Sequence, residues 1–326
     1  RRKGLNVQEV LKVVNMKKKV TLPFDIAFLK QERFMKNYKE HKNEKPKSLS
    51  KLNAKIEPII KRTPKMYHSA DQLEKSEIWN KYWENNNTER ELAKIDQYLT
   101  HWRDTFLEYL DKEDRIIDGG CGLGKWVIYL HDMGYHVVGL EYQEEVVNRV
   151  SSKYPDAEII AGDVENLSFP DNSFDVYISG GVIEHFINGP QKALLEAKRV
   201  LRPDGLFFVS VPIRTPIASI YFLKKAIKKY LSLFISGYRN EKMEFFQYDF
   251  NKQEIRAILE ILGFEILRAV PADSRRFAFT RFCPFLTRKE DERQLNLVGR
   301  KIAGVLEAIN PWLCCSHFLC VARNKK

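Results

Sequence analysis

From Arg115 onward, short apolar runs of strand length alternate with helical segments, and this alternation limits the chain to a narrow class of folds. The runs are RIID (115–118), HVVGLE (136–141), AEIIAGD (157–163), FDVYISG (174–180) and GLFFVSVP (205–212). Helices are expected near 124–133, 143–153 and 190–202, and Gly134, Pro155 and Pro203-Asp204-Gly205 stand where turns belong. Strands joined through helices run parallel, so the expected architecture is an open α/β sheet with helices on both faces. After Pro212 the pattern predicts an insertion over 213–246, a helix over 251–263 and a strand over 264–270. A second helical insertion over about 280–312 and a last strand over 316–323 follow.

Sheets of this kind bind ligands outside the carboxyl ends of their strands. The loop leaving the first strand is Asp118-Gly119-Gly120-Cys121-Gly122-Leu123-Gly124, in which glycines let the backbone approach a ligand just before a helix N-terminus. Alone, such a loop supports a nucleotide-binding α/β protein and nothing narrower. The dinucleotide fingerprint requires glycine at 120, 122 and 125, and position 125 is lysine. An acid closing the strand repels a pyrophosphate but favours a ligand carrying an amino group and a sulfonium. Glu141 ends the second strand, where its carboxylate can accept from both hydroxyls of a ribose, a feature shared with NAD proteins. Asp163, in AGDVENL, ends the third. There a carboxylate can accept from the adenine amine while the Val164 N–H meets a ring nitrogen.

Taken together, DGGCGLG, Glu141, GDVENLSFPDNSFDVYISGGVIEHF and AKRVLRPDGLFFVSVP resemble the class I S-adenosylmethionine (SAM) dependent methyltransferases. More narrowly they resemble the type 11 group, which includes the quinone-biosynthesis methyltransferases. The resemblance covers 111–212 closely and 246–326 loosely. It implies a Rossmann-like seven-stranded sheet of order 3-2-1-4-5-7-6 with the last strand antiparallel, and SAM as the cofactor. It places Asp118, Gly119, Gly120, Cys121, Gly122 and Gly124 at the methionine part of SAM, and Glu141 and Tyr142 at the ribose. Asp163 and Val164 fall at the adenine, and Ser179, Gly180 and Gly181 beneath the donor methyl. N-terminal helices carrying Tyr67, Trp79, Tyr82 and Trp83 would close over the cofactor as a lid. In such a reaction the protein supplies alignment, and a base where the acceptor must lose a proton. His185 in GGVIEHF is the first candidate base and Glu184 the second. The same pair also suits a structural role, holding the loop and the methionine moiety.

Charge and composition bear on partners. The net charge of +11 belongs to residues 1–65, which hold 19 basic and 6 acidic residues against 35 and 37 in the remainder. A basic arm of this kind suits nucleic acid, an anionic membrane, or a solvated appendage of weak structure. The expected division is a basic extension over 1–65, a helical lid over 66–110, and a methyltransferase domain over 111–326 with caps at 213–246 and about 280–312. Enzymes that methylate nucleic-acid amines carry an Asn/Asp-Pro-Pro-Tyr type sequence after the fourth strand. This chain has SGGV there, which disfavours nucleic acid. The five cysteines form no CxxC pair, so neither a disulfide framework nor a metal is expected and a reducing cytoplasm fits best. In the first insertion Ile217, Ile220, Tyr221, Ile227, Leu231 and Phe234 recur at near-helical spacing opposite Lys224, Lys225, Lys228 and Lys229. Such a helix serves either as a cap packed on the body or as a peripheral membrane contact through 217–235. The expected activity is methyl transfer to a small-molecule, lipid-linked or saccharide acceptor, at oxygen. An NAD-type oxidoreductase, a non-catalytic SAM-fold partner subunit and an RNA methyltransferase using the basic arm remain open.

Overall fold

The computed structural model describes residues 49–63, 65–69, 79, 82–97, 99–214, 243–272, 286, 295–313 and 315–326. The elements before the sheet are α1 (Leu49–Arg62), β1 (Lys65–Ser69), α2 (Thr88–Gln97) and α3 (Thr100–Tyr109). The alternating part follows as β2 (Arg115–Gly119), α4 (Lys125–Asp132), β3 (His136–Glu141), α5 (Glu144–Lys153), β4 (Glu158–Ala161), β5 (Phe174–Gly180), α6 (Gln191–Val200) and β6 (Leu201–Pro212). The chain ends with β7 (Met243–Tyr248), α7 (Lys252–Ile261), β8 (Phe264–Ala272), α8 (Leu297–Ile309) and β9 (His317–Asn324).

Seven strands form one sheet in the order β4-β3-β2-β5-β6-β9-β8. Counted within this sheet, that is the expected 3-2-1-4-5-7-6. The pairs β3–β4, β2–β3, β2–β5 and β5–β6 are parallel, and β9 runs antiparallel to both β6 and β8. The central strands read as continuous apolar runs because helices cover both faces. Ile116, Ile117, Val176, Ile178, Phe207, Phe208 and Val209 are all buried. Each such side chain contributes roughly 1.5–3 kcal/mol on leaving water, which makes the sheet a rigid support for the loops at its carboxyl rim.

Three expectations need correction. The break at Pro203-Asp204-Gly205 lies inside β6, because the register with β5 jumps from Phe174↔Leu201 to Val176↔Leu206 and Asp204 takes φ 60°. Weak structure does not extend through the whole of 1–65. α1 forms over 49–62 and buries Ile56 and Ile60 in the main core, while residues 1–48 lie outside the described residues. The lid is not wholly helical, since Tyr67 lies in β1, which pairs antiparallel with β7 as a separate two-stranded sheet. The physical reason is long-range pairing. A strand edge far along the chain supplies the hydrogen bonds of residues 65–69, and no local periodicity encodes that partner. The amphipathic stretch 217–235 lies outside the described residues.

Candidate active site

The turn after β2 is held from below, with the Gly120 and Cys121 N–H groups both donating to the Leu140 carbonyl of β3 at 2.7 and 3.0 Å. Two glycines here are required by geometry. Gly120 sits at φ 79°, and a Cβ on it would meet Val182 Cγ2 at 2.6 Å. Gly122 sits at φ 55°, and a Cβ there would meet the Trp83 ring at 2.6 Å. The loop is therefore pressed between the segment after β5 and an aromatic side chain of the N-terminal region. Gly124 closes it in the left-handed conformation and opens α4.

The acids gather around this turn. Asp118 is 3% exposed, and burial pushes its carboxyl up to about 7, with Lys125 opposing the shift and Glu141 adding to it. Glu141 is also buried and raised by burial. Its carboxylate accepts from the Gly122 N–H at 2.9 Å and the Gln143 N–H at 3.2 Å, which ties the end of β3 to the glycine loop. Asp163 lies two residues beyond β4 and is half-buried, its Oδ1 accepting from the Glu165 N–H at 2.8 Å beside buried Val164. Tyr142 turns its side chain outward, 72% exposed. Cys121 is buried, and burial holds its thiol well above the ordinary range, so it serves as a small packing residue.

On the other side of the loop, Ser179 is buried at the end of β5 and the Gly181 N–H donates to the Ser210 carbonyl at 2.9 Å. A single 3₁₀ turn over Ile183–His185 follows. Glu184 is 2% exposed, and burial raises its carboxyl to about 8. Its Oε1 is 3.7 Å from His185 Nε2, and its Oε2 has no hydrogen-bond partner among the described residues. His185 Nδ1 lies 2.9 Å from the Phe246 carbonyl of β7. A carbonyl only accepts, so Nδ1 carries the hydrogen and the neutral ring keeps its lone pair on Nε2.

Aromatic rings cover this histidine. Trp79 and Phe246 each meet the His185 ring edge to face with centroids 4.9 Å apart, and Trp79 stacks on both Phe246 and Trp83 at 6.0 Å. The segment carrying Trp83 is fastened to the loop, α4 and α5 by polar contacts. Thr88 Oγ1 donates to the Leu123 carbonyl at 3.3 Å, Arg149 donates to the Trp83 carbonyl at 3.0 Å, and Lys125 Nζ lies 3.4 Å from Glu91 Oε2. Burial pushes the Glu91 carboxyl up, but Lys125 and Lys94 outweigh it and hold the group below its ordinary value. Sequence reasoning found Trp79 and Trp83 but missed Phe246, Glu91 and Arg149. The alternating FFQYDF at 245–250 was the only local signal for a strand at Phe246.

Asp118, Glu141 and the glycines thus meet in one cradle, and Glu184 and His185 stand across it. The buried carboxyls of Asp118, Glu141 and Glu184 make this rim suitable for a cation, with Lys125 beside Asp118 opposing it. Residues 117–209 match the methyltransferase domain family. The chain is 32% identical over 151 residues to a probable S-adenosylmethionine-dependent methyltransferase of Mycolicibacterium smegmatis, covering 46% of this chain and 52% of that protein. It is 36% identical over 119 residues to a demethylmenaquinone methyltransferase of Renibacterium salmoninarum, covering 35% and 49%. It is 32% identical over 148 residues to a human protein described as a probable tRNA methyltransferase 9B, covering 45% and 31%. The chain thus spans about half the length of the first of these relatives.

Proposed function

We propose that this chain, which carries a class I SAM-dependent methyltransferase domain of the type 11 group, transfers a methyl group from SAM to an oxygen of a small-molecule, lipid-linked or saccharide acceptor. The observation that carries the reading is the buried Asp118–Glu141 pair around a glycine cradle that any Cβ would fill. A carboxyl held near 7 by burial is stabilised in its ionised form by a cationic ligand, and the unpartnered Glu184 oxygen has the same need. These residues fit SAM and would repel a pyrophosphate. Asp118 and the loop from Gly120 to Gly124 would hold the methionine end, Glu141 the ribose, and Asp163 with the Val164 N–H the adenine.

When bound, SAM supplies a methyl group already activated on a sulfonium, and the chain supplies the rest. Trp79, stacked on Trp83 and Phe246, would shield the rim from water once the cofactor is bound. His185, oriented by the Phe246 carbonyl, presents the Nε2 lone pair that takes the acceptor's proton. Burial raises the Glu184 carboxyl, so its ionised form gains from a cationic ligand, which suits charge balance better than proton abstraction. Calorimetric titration tests the cofactor assignment. S-adenosylhomocysteine is expected to bind and NADH to give no heat. Binding of NADH alone would overturn the reading.

Gly122→Val is expected to abolish S-adenosylhomocysteine binding, because the side chain meets Trp83 at a φ that a β-branched residue strongly disfavours. The same variant should lose about 1–3 kcal/mol of stability, read in a thermal melt. Normal binding by this variant would move the site elsewhere. An RNA acceptor is the second reading. It draws on the basic residues of 1–65 and on the relative described as a tRNA methyltransferase, and SGGV after β5 weighs against it. Among the described residues no helix is long and apolar enough to cross a membrane, and peripheral contact through 217–235 is part of the proposal for a lipid-linked acceptor.

A further inference from the structure

A cradle suited to a cation carries one feature that works against it. Lys125 is the first residue of α4 and directly follows the glycine loop, and its charge acts on the Asp118 carboxyl. A lysine at a helix N-terminus also opposes the helix dipole. Its ammonium is a compact charge on a flexible stem, able to serve whichever carboxylate lies within reach. An ion pair between Lys125 and Asp118 would compete with a cationic ligand for the same oxygens. The structure gives the lysine a different partner. Lys125 Nζ lies 3.4 Å from Glu91 Oε2, on the neighbouring helix α2.

Glu91 is built into this position. It is 5% exposed, and a carboxylate so buried needs compensating charge on its oxygens. Lys94 Nζ donates to Oε1 and Lys125 Nζ to Oε2. The first turn of α2 is held against the loop by contacts other than this ion pair. Thr88, one turn before Glu91, is buried and donates to the Leu123 carbonyl at 3.3 Å. Glu89 pairs with Lys153 and accepts from Tyr154 Oη at 3.0 Å, which ties the same turn to α5. The N-termini of α2 and α4 therefore meet with Glu91 between them, where its negative charge favours both helix dipoles. Glu91 ends no strand of the sheet and stands apart from the acids assigned to the cofactor.

We propose that Glu91 is a positioning residue for cofactor binding: it holds the Lys125 ammonium away from Asp118 and so leaves that carboxylate to the cationic group of the ligand. The inference rests on the cofactor reading above and extends it, because it places part of the preference for a cation on α2, outside the sheet. With Glu91 neutral, the ammonium of Lys125 is released toward Asp118, and a ligand has to displace it. With Lys125 neutral as well, nothing competes and the cradle regains its preference. A merely structural contact between α2 and α4 has the opposite signature, since removing the second partner of such a pair restores nothing.

Calorimetric titration of the full chain with S-adenosylhomocysteine, whose amino group is cationic, tests this on four proteins: the parent, Glu91→Gln, Lys125→Met and the double variant. Glutamine keeps the shape of the glutamate, and the Lys94 and Lys125 side chains stay 33% and 29% exposed, so Glu91→Gln should fold, as a thermal melt reads. It should bind at least tenfold more weakly than the parent. Lys125→Met should bind as tightly as the parent or more tightly, and the double variant should return to within threefold of it. Parent-like binding by Glu91→Gln would overturn the proposal, and so would a double variant as weak as Glu91→Gln. Weaker binding by Lys125→Met alone would assign the lysine to the ligand and overturn it too. A parent chain that binds no S-adenosylhomocysteine would instead sink the cofactor reading, and this inference with it.

Discussion

Asp118→Asn is expected to remove SAM binding while making the ligand-free protein more resistant to heat. The carboxyl is 3% exposed and its pKa is raised from 3.8 to about 7, chiefly by burial. A carboxyl raised in the folded state disfavours folding once ionised. The penalty is absent below the unfolded value near 4, grows as pH rises toward 7, and is constant above it. About three pKa units correspond to a ceiling on the order of 4 kcal/mol. Asparagine cannot ionise, so above pH 7 the variant should melt a few degrees higher than the parent. Toward pH 4 the two should converge.

Binding runs the other way. A cationic ligand needs Asp118 ionised, so SAM affinity of the parent should fall as pH drops below 7, by up to tenfold per unit. The variant should bind at least a hundredfold more weakly. Calorimetry across pH 5.5–8.5 with differential scanning on the same samples reads both effects. A variant that bound SAM within threefold of the parent would remove Asp118 from the site.

His185→Ala should leave SAM binding intact and lower kcat by roughly 10²–10⁴-fold, the range for loss of a positioned general base. The ring lies edge to face with Trp79 and Phe246, so alanine also opens space among aromatic groups. His185→Gln keeps most of that volume and tests the proton role separately. If the ring acts as base, both variants lose turnover, with the fall in kcat rather than KM. If it only holds the 3₁₀ turn against β7, glutamine should restore what alanine loses. Full activity in the alanine variant would assign the Nδ1 contact with Phe246 to structure alone.

The parallel core was legible because its signals are local. Apolar runs of four to eight residues, turns at Gly134 and after Tyr154, and acids at the strand ends all lie within short windows. The same windows contained the glycine loop and Glu141, which the structure joins through the Gly122 N–H. Lysine at 125 had served only to exclude a dinucleotide. In the fold it gains a partner from α2, because Glu91 buries its carboxylate beside it. Phe246 was hidden in an insertion, since the strand that contains it is completed by Lys65–Ser69, far away in the chain.

The amino-acid sequence by itself determined the succession of strands and helices along the chain, the glycine turn and which acids end the strands, because periodicity, φ preference and charge are properties of neighbouring residues. Only the tertiary structure decided how those groups are charged and aimed. Burial raises Asp118 to about 7 and Glu184 to about 8, the Phe246 carbonyl selects the His185 tautomer, and Trp83 closes on Gly122. Each of these depends on desolvation or on contact between residues far apart in the chain, and neither exists until the core has formed.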